Sequence, residues 1–377
     1  MAGQRNGVFS EKLSKYLRAR LDEARQTAGP DSEVLNVIGR QYLADPREQE
    51  LGAHERFRHY EAEIEPVHEG RTVHGIERLY RRTLLFIPTL VCAAHCRWCL
   101  RGQYPITHRS ADDIELAARY CGESSDTADV EELVITGGDP LMDVRSLEQT
   151  LDAFARWAPR VRVIRIASRV PLHDPERIDT HLLMLLAGHA DRVELALHVN
   201  HRAELFPEVR DALDRLRETG VRAYNQSVLL RGVNDNLDAL QDVCEVLRAY
   251  RIETHYLFHC IPLRGMAHHR TTVDAGLDLA RRLSNSGRIS GRAKPSFTLL
   301  TDVGKVTLYE GTILNRRDGL ILLQTGYSAA ERLAISPAWK QPDSAFVDAD
   351  GFFRVWYQDG VASGSAPVRD GDHVSWA

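Results

Sequence analysis

The 377-residue chain reads as an α/β protein built on a parallel sheet. Two observations predict this. From residue 83 onward, short β-rich runs recur with an amphipathic helical stretch between each pair, the pattern of right-handed crossovers rather than hairpins. Apolar residues make up 43% of the chain, enough for a sizeable buried core. Six or so strand–helix units suffice for a partial or complete α/β barrel. An open doubly wound sheet has the same periodicity, and the pattern alone does not choose between them.

In order along the chain, residues 1–80 read as a polar, helical N-terminal extension, in which Leu13, Tyr16, Leu17 and Leu21 form an apolar stripe at helical spacing. The predicted strands are Thr83–Leu90, Glu132–Thr136, Arg162–Ala167, Arg192–Val199, Arg222–Leu230, Glu253–Cys260 and Ser296–Thr301. Ser146–Trp157, Pro207–Thr219 and Leu237–Tyr250 are the clearest intervening helices. Residues 81–302 would therefore form the α/β unit. In 303–377 the character turns β-rich, with strands over Val306–Leu314, Gly319–Gln324 and Phe352–Tyr357 and turns at Asn315–Gly319 and Asp348–Gly351. The Gly-, Ser- and Asp-rich tail after Gly360 is expected to fray.

Charge narrows the function classes. Lys plus Arg is 48 and Asp plus Glu is 53, so the net charge is −5, which gives no electrostatic case for nucleic acid. No apolar run is long enough to span a membrane, and the N-terminus has no signal-peptide core, so a cytoplasmic protein is expected.

Of the six cysteines, Cys92, Cys96 and Cys99 fall within eight residues as C-x-x-x-C-x-x-C. Three thiolates on one tight loop hold three irons of a [4Fe-4S] cubane and leave the fourth open, as chelation of S-adenosylmethionine (SAM) requires. The loop follows the strand at 83–90, which puts it at the carboxyl end of the sheet, where barrel active sites form. A structural zinc loop with His95 as fourth ligand is the competing reading, but zinc sites usually add a distant second ligand pair, and none has that spacing here. Trp98 sits where an aromatic can pack on the adenine. Gly137-Gly138-Asp139-Pro140 directly follows the next strand, and glycines there allow close backbone approach to a ligand.

These motifs resemble the lysine 2,3-aminomutase family of radical SAM enzymes. The resemblance runs from about Glu65 to Gln324 through Glu65-Pro66-Val67-His68-Glu69, the cysteine loop, Ile135–Asp139, Ile164–Arg169, His198-Val199-Asn200-His201 and Asn225–Asp235. It implies an incomplete (β/α)6-type radical SAM barrel with SAM contacts at Gly137, Gly138, Asp139, Ser168, His198 and Gln226. It also implies pyridoxal phosphate (PLP) on Lys305 as Schiff-base lysine, PLP contact by Tyr80, and a grip on the substrate carboxylate by Arg101. Two arginines that flank the tyrosine in the family are Leu79 and Thr83 here, so Arg81 or Arg82 is the expected replacement for the phosphate. The glycine run before the lysine is two residues shorter, as Asp302-Val303-Gly304.

The resemblance further implies that lysine is not the substrate. The two family aspartates that hold its distal ammonium align with Ile261 and Leu300, and a buried ammonium left unpaired costs several kcal/mol. Asp302 would restore one charge if its loop bends inward; Arg264 and Lys294 would favour an acidic side chain; Ile261 and Leu300 directly fit an aliphatic one. The expected activity is a PLP-dependent amino acid 2,3-aminomutase fed by an electron donor such as flavodoxin or ferredoxin, as monomer or homo-oligomer. The alternatives are a PLP-free radical SAM enzyme of the same fold that performs an elimination or decarboxylation, and a non-catalytic metal-binding protein.

Overall fold

The computed structural model describes residues 10–29, 32–50, 63–102 and 105–361. Seven parallel strands form its centre: β1 (Thr83–Thr89), β2 (Glu132–Gly137), β3 (Val163–Ser168), β4 (Val193–Leu197), β5 (Arg222–Leu229), β6 (Glu253–His259) and β7 (Ser296–Thr301). They pair in sequence order, each with the next, as expected when every connection is a crossover. The crossovers carry helices α3 (Ala111–Glu123), α4 (Val144–Trp157), α5 (Thr180–Gly188), α6 (Pro207–Glu218), α7 (Leu237–Ala249) and α8 (Val273–Ser284). The sheet does not close on itself: one edge ends in the antiparallel strand Glu63–Ile64 and the other in β8 (Gly304–Thr307), so the barrel is incomplete.

Strand periodicity divides the side chains between two environments. Leu133, Ile135, Ile164, Ile166, Leu195 and Leu197 face the helices and pack with Leu147, Leu151, Phe154, Leu182, Leu186, Val209 and Leu213. Fully burying each such Leu or Ile contributes roughly 1.5–3 kcal/mol. The intervening residues Val134, Thr136, Arg165, Ala167, Ala196 and Tyr224 face inward and line a cavity.

The N-terminal region is helical in part. Helices α1 (Lys15–Thr27) and α2 (Glu33–Tyr42) are capped by Ser14 and Ser32, whose hydroxyls accept from the backbone N–H groups of Leu17 and Leu35. Leu17, Leu21, Val37, Ile38 and Tyr42 bury against Ala94, Cys96, Trp98, Leu230 and Ile261, so this helical pair packs on the cysteine loop. The expectation of helix across the whole N-terminal extension fails at 63–77, which forms four two-residue strands. Glu69 and Gly70 take φ values of +53° and +74°, turning the chain between Val67–His68 and Arg71–Thr72, and Ile76–Glu77 then pairs with β1.

The β-rich C-terminal segment is a second, antiparallel sheet of β9 (Ile313–Arg317), β10 (Leu320–Ser328), β11 (Ala345–Val347) and β12 (Phe352–Gln358), with a helix over Ala329–Ile335. The expected run Val306–Leu314 is interrupted between β8 and β9, and the turn contracts to Asp318-Gly319, both at positive φ. Ile321, Leu323, Phe353, Val355 and Tyr357 bury against α8 and β7. The tail expected to fray lies, beyond Val361, outside the described residues.

Candidate active site

A cavity of about 340 Å³ opens at the carboxyl ends of the parallel strands, the place where barrel folds assemble their chemistry. Its wall holds Cys92, Cys96, Cys99, Trp98, Arg101, Gly137, Gly138, Asp139, Ser168, His198, Gln226, Tyr80 and Lys305. The cysteine trio, the expected SAM-contact positions, Tyr80, Arg101 and Lys305 thus face one space.

The cysteine loop leaves β1 and is held flat by backbone bonds from the next unit. Gly138 N–H donates to Thr89 O at 2.8 Å and Asp139 N–H to Val91 O at 2.8 Å. A Cβ on Gly138 would lie 2.4 Å from Leu90 C and Val91 O, and one on Gly137, at φ +128°, 2.3 Å from Thr89 O. The close approach these glycines permit is therefore to the cysteine loop itself. Asp139 is buried and fixes the neighbouring unit: its carboxylate accepts from the Ser168 hydroxyl at 2.7 Å and from the Arg169 N–H at 2.7 Å. Burial raises its pKa to about 6 against the pull of those hydrogen bonds.

The donor set tests which metal fits. One tetrahedral zinc at about 2.3 Å from each thiolate draws its sulfurs to within about 4 Å of one another. Among the described residues the three cysteine sulfurs are not all within 4.8 Å of one another, so they do not stand as a ready-made tetrahedral zinc site. The only trio that meets that limit among them is His68, Glu69 and Glu123, whose carboxylates both pair with Arg119. The Nδ1 of His95 is engaged by Ser10 O at 2.8 Å. Burial pushes all three thiols up, Cys96 to about 11 despite Arg169 beside it, so metal binding must release their protons.

Polar groups with nothing to bind point to a polar ligand. The Trp98 indole N–H is buried without a partner, and Trp98 lies against the His198 ring at 5.5 Å. Burial, Arg169 and Lys305 depress His198 to about 3, which keeps its imidazole neutral.

Lys305 is on β8, directly across the hairpin from Leu300. The shortened loop is a two-residue turn, Asp302-Val303, closed by Gly304 at φ +139°. The Lys305 amine sits 5.1 Å and 5.4 Å from the Tyr256 and Phe258 ring centres. Burial and nearby Arg165 push its pKa down to about 8, with Glu132 opposing. Tyr327 bridges this hairpin to Tyr80, just before β1: its hydroxyl donates to Lys305 O at 2.9 Å and meets the Tyr80 hydroxyl at 3.4 Å.

Several expectations are corrected. Arg81 and Arg82 turn outward, 61% and 65% exposed, to Asp129 and Glu131. Asp302 does not bend into the cavity; it is buried and accepts from the Ser344 hydroxyl. Lys294 donates to the carbonyls of Ser284 and Ser286, and neither it nor Arg264 reaches the wall. Leu79, Thr83, Ile261 and Leu300 do line it. Sequence reasoning missed Glu77, which pairs with Arg101 at 2.7 Å, and Arg165, which pairs with Glu132 at 2.6 Å.

Residues 86–244 match the Radical SAM superfamily. The chain is 31% identical over 241 residues to L-lysine 2,3-aminomutase of Fusobacterium nucleatum, covering 63% of this chain and 55% of that protein. It is 29% identical over 301 residues to L-lysine 2,3-aminomutase of Clostridium subterminale, covering 77% and 72%. The chain is thus similar to the radical SAM superfamily over residues 86–244 and to the 2,3-aminomutases over a longer span. Glutamate 2,3-aminomutase of Clostridioides difficile is a further relative, 26% identical over 340 residues that cover 88% of this chain and 78% of that enzyme. The match thus spans from about half to about four fifths of these relatives' length. Among solved structures, a radical SAM methyltransferase from Sphaerobacter thermophilus superposes with a TM-score of 0.44 at 20% identity, covering 60% of this chain and 69% of that one. The superfamily implies a [4Fe-4S] cluster and SAM as cofactors. Among the described residues no helix is long and apolar enough to cross a membrane.

Proposed function

We propose that the chain is a PLP-dependent 2,3-aminomutase that converts an α-amino acid other than lysine to a β-amino acid. One observation carries this reading: the cysteine trio, the SAM-contact positions and a buried, pKa-depressed lysine share one cavity. Cys92, Cys96 and Cys99 would hold the cluster, with Trp98, Gly137, Gly138, Asp139, Ser168, His198 and Gln226 around SAM. When bound, the cluster with SAM supplies an organic radical, and PLP supplies a carrier for the migrating amino group.

The chain's own residues supply position. Lys305, with a pKa near 8, presents a partly neutral amine beside the Tyr256 and Phe258 rings, which suits attachment of an aldehyde cofactor. Tyr80 lines the same wall. With Arg81 and Arg82 turned away, Arg165 is the guanidinium close enough to act on Lys305, and we assign it the phosphate side. Arg101 orients the substrate carboxylate, and the buried walls exclude water from a radical intermediate. Ile261 and Leu300 offer no charge to a distal ammonium.

Anaerobic reconstitution with iron, sulfide and PLP, then dithionite, SAM and a panel of amino acids, tests the proposal. The expected result is 5′-deoxyadenosine formation stimulated by a non-lysine amino acid, a PLP absorbance band and its loss in Lys305→Ala. Stimulated SAM cleavage without PLP, unaffected by Lys305→Ala, would instead support a PLP-free radical reaction.

A further inference from the structure

We propose that Arg169 is a positioning residue that tunes the cluster through Cys96: its guanidinium donates a charge-assisted N–H···S hydrogen bond and raises the potential at which the cluster takes up its electron. The inference rests on the cysteine trio holding that cluster.

The Arg169 side chain is 7% exposed, and one of its terminal nitrogens lies 3.3 Å from the Cys96 sulfur. The Cys96 sulfur thus receives a guanidinium hydrogen bond. The arginine cannot swing away. Its backbone N–H is fixed on Asp139, its other terminal nitrogen pairs with Glu204, and Gln41 Oε1 accepts at 3.4–3.5 Å. The guanidinium also lies over the rings of Trp98 at 5.1 Å and Tyr42 at 5.3 Å. Glu204 in turn is held by the backbone N–H groups of Asn200 at 2.6 Å and His201 at 2.9 Å. Only a planar, multi-donor cation satisfies a carboxylate, an amide oxygen and a sulfur at once, so lysine is no substitute.

Adding one electron to the cluster makes its sulfur ligands more negative. A donor N–H and a positive charge at a sulfur therefore stabilise the reduced state more than the oxidised state, and cluster potentials follow hydrogen bonds and net charge. The electron comes from an external low-potential reductant; Arg169 stays protonated, and no bond to it forms or breaks. Glu204 offsets part of its charge, while Gln41 leaves it undiminished. The N-terminal helix α2, which supplies Gln41 and Tyr42, thereby belongs to the environment of the cluster.

The test uses the whole chain, anaerobically reconstituted, with iron counted first and the midpoint then read by EPR-monitored reductive titration. Arg169→Met is expected to lower the ratio of reduced to oxidised cluster at fixed poise at least tenfold, about 59 mV for one electron. Gln41→Glu, which adds a second carboxylate to the arginine, should shift the midpoint down; Glu204→Gln, which removes one, should shift it up. An unchanged midpoint in Arg169→Met at full iron content overturns the proposal, as do same-sign shifts in the other two variants. Should Arg169→Met not retain iron, the two near-isosteric variants decide alone. No iron in the unaltered chain overturns the cluster assignment itself, and this inference with it.

Discussion

Lys305 and Arg101 carry the sharpest residue-level predictions. A lysine with a pKa near 8 loses its proton as pH rises through 8, and only the neutral amine condenses with an aldehyde. PLP capture should therefore accelerate from pH 6.5 to about pH 8.5 and then level off, as followed by the growth of the cofactor band. Arg101 is paired with the buried carboxylate of Glu77, so a substrate carboxylate must share it. Glu77→Gln is expected to lower KM for the amino acid, and Arg101→Met to raise it by about tenfold to a hundredfold, the worth of a charged hydrogen bond of roughly 1.5–3 kcal/mol. A higher KM in Glu77→Gln would mean that Glu77 itself receives the substrate's ammonium. The motif residues were legible because each sits at or near a strand end and so lies along the rim of the barrel. Glu77, Arg165 and Arg169 were not assigned roles, since their importance lies in which partner they meet across the cavity. Alternation in Ile164-Arg165-Ile166-Ala167 does carry a signal, because it sets Arg165 on the inward face opposite Ile164 and Ile166.

At the scale of elements, the decisive contact is the turn after β2 lying against the loop after β1. Gly138→Ala drives a methyl group into the backbone of Leu90 and Val91, which has no flexible end to yield. The variant should retain far less iron than the unaltered chain on reconstitution, while far-UV circular dichroism stays near normal. The β7–β8 hairpin is equally tight. A Cβ on Gly304 would lie 2.5 Å from the Tyr327 ring, so Gly304→Ala should abolish the PLP band while iron content is retained. The seven parallel strands were readable from apolar runs and their spacing. The strands within 63–77 were not, because two-residue strands show no periodicity; the Glu69-Gly70 turn was the one cue. Strand β11, three residues long, escaped for the same reason.

Over the whole molecule, the N-terminal helices are part of the core that backs the cysteine loop. Leu21, on α1, is 2% exposed. Leu21→Ala should cost about 2–5 kcal/mol, seen as a lower urea midpoint, with faster loss of iron on dilution into chelator. The incomplete barrel was legible as a strand count and a family resemblance. Its openness was decided by the edges, where antiparallel strands cap both sides and leave the cavity mouth to be shaped by distant segments.

Those distant segments converge. Lys12 braces the cysteine loop, accepting from the His95 N–H through its carbonyl and donating to Cys92 O. From the far side, the Tyr357 hydroxyl meets His259 at 2.9 Å, next to the Cys260–Ile261 bend of the wall. A chain still emerging from the ribosome thus carries its three thiols long before it owns a chamber for them. Iron that met the thiols before the segment carrying Tyr357 had folded into place would find a loose chelating loop, and iron that met them afterwards would find a finished vessel.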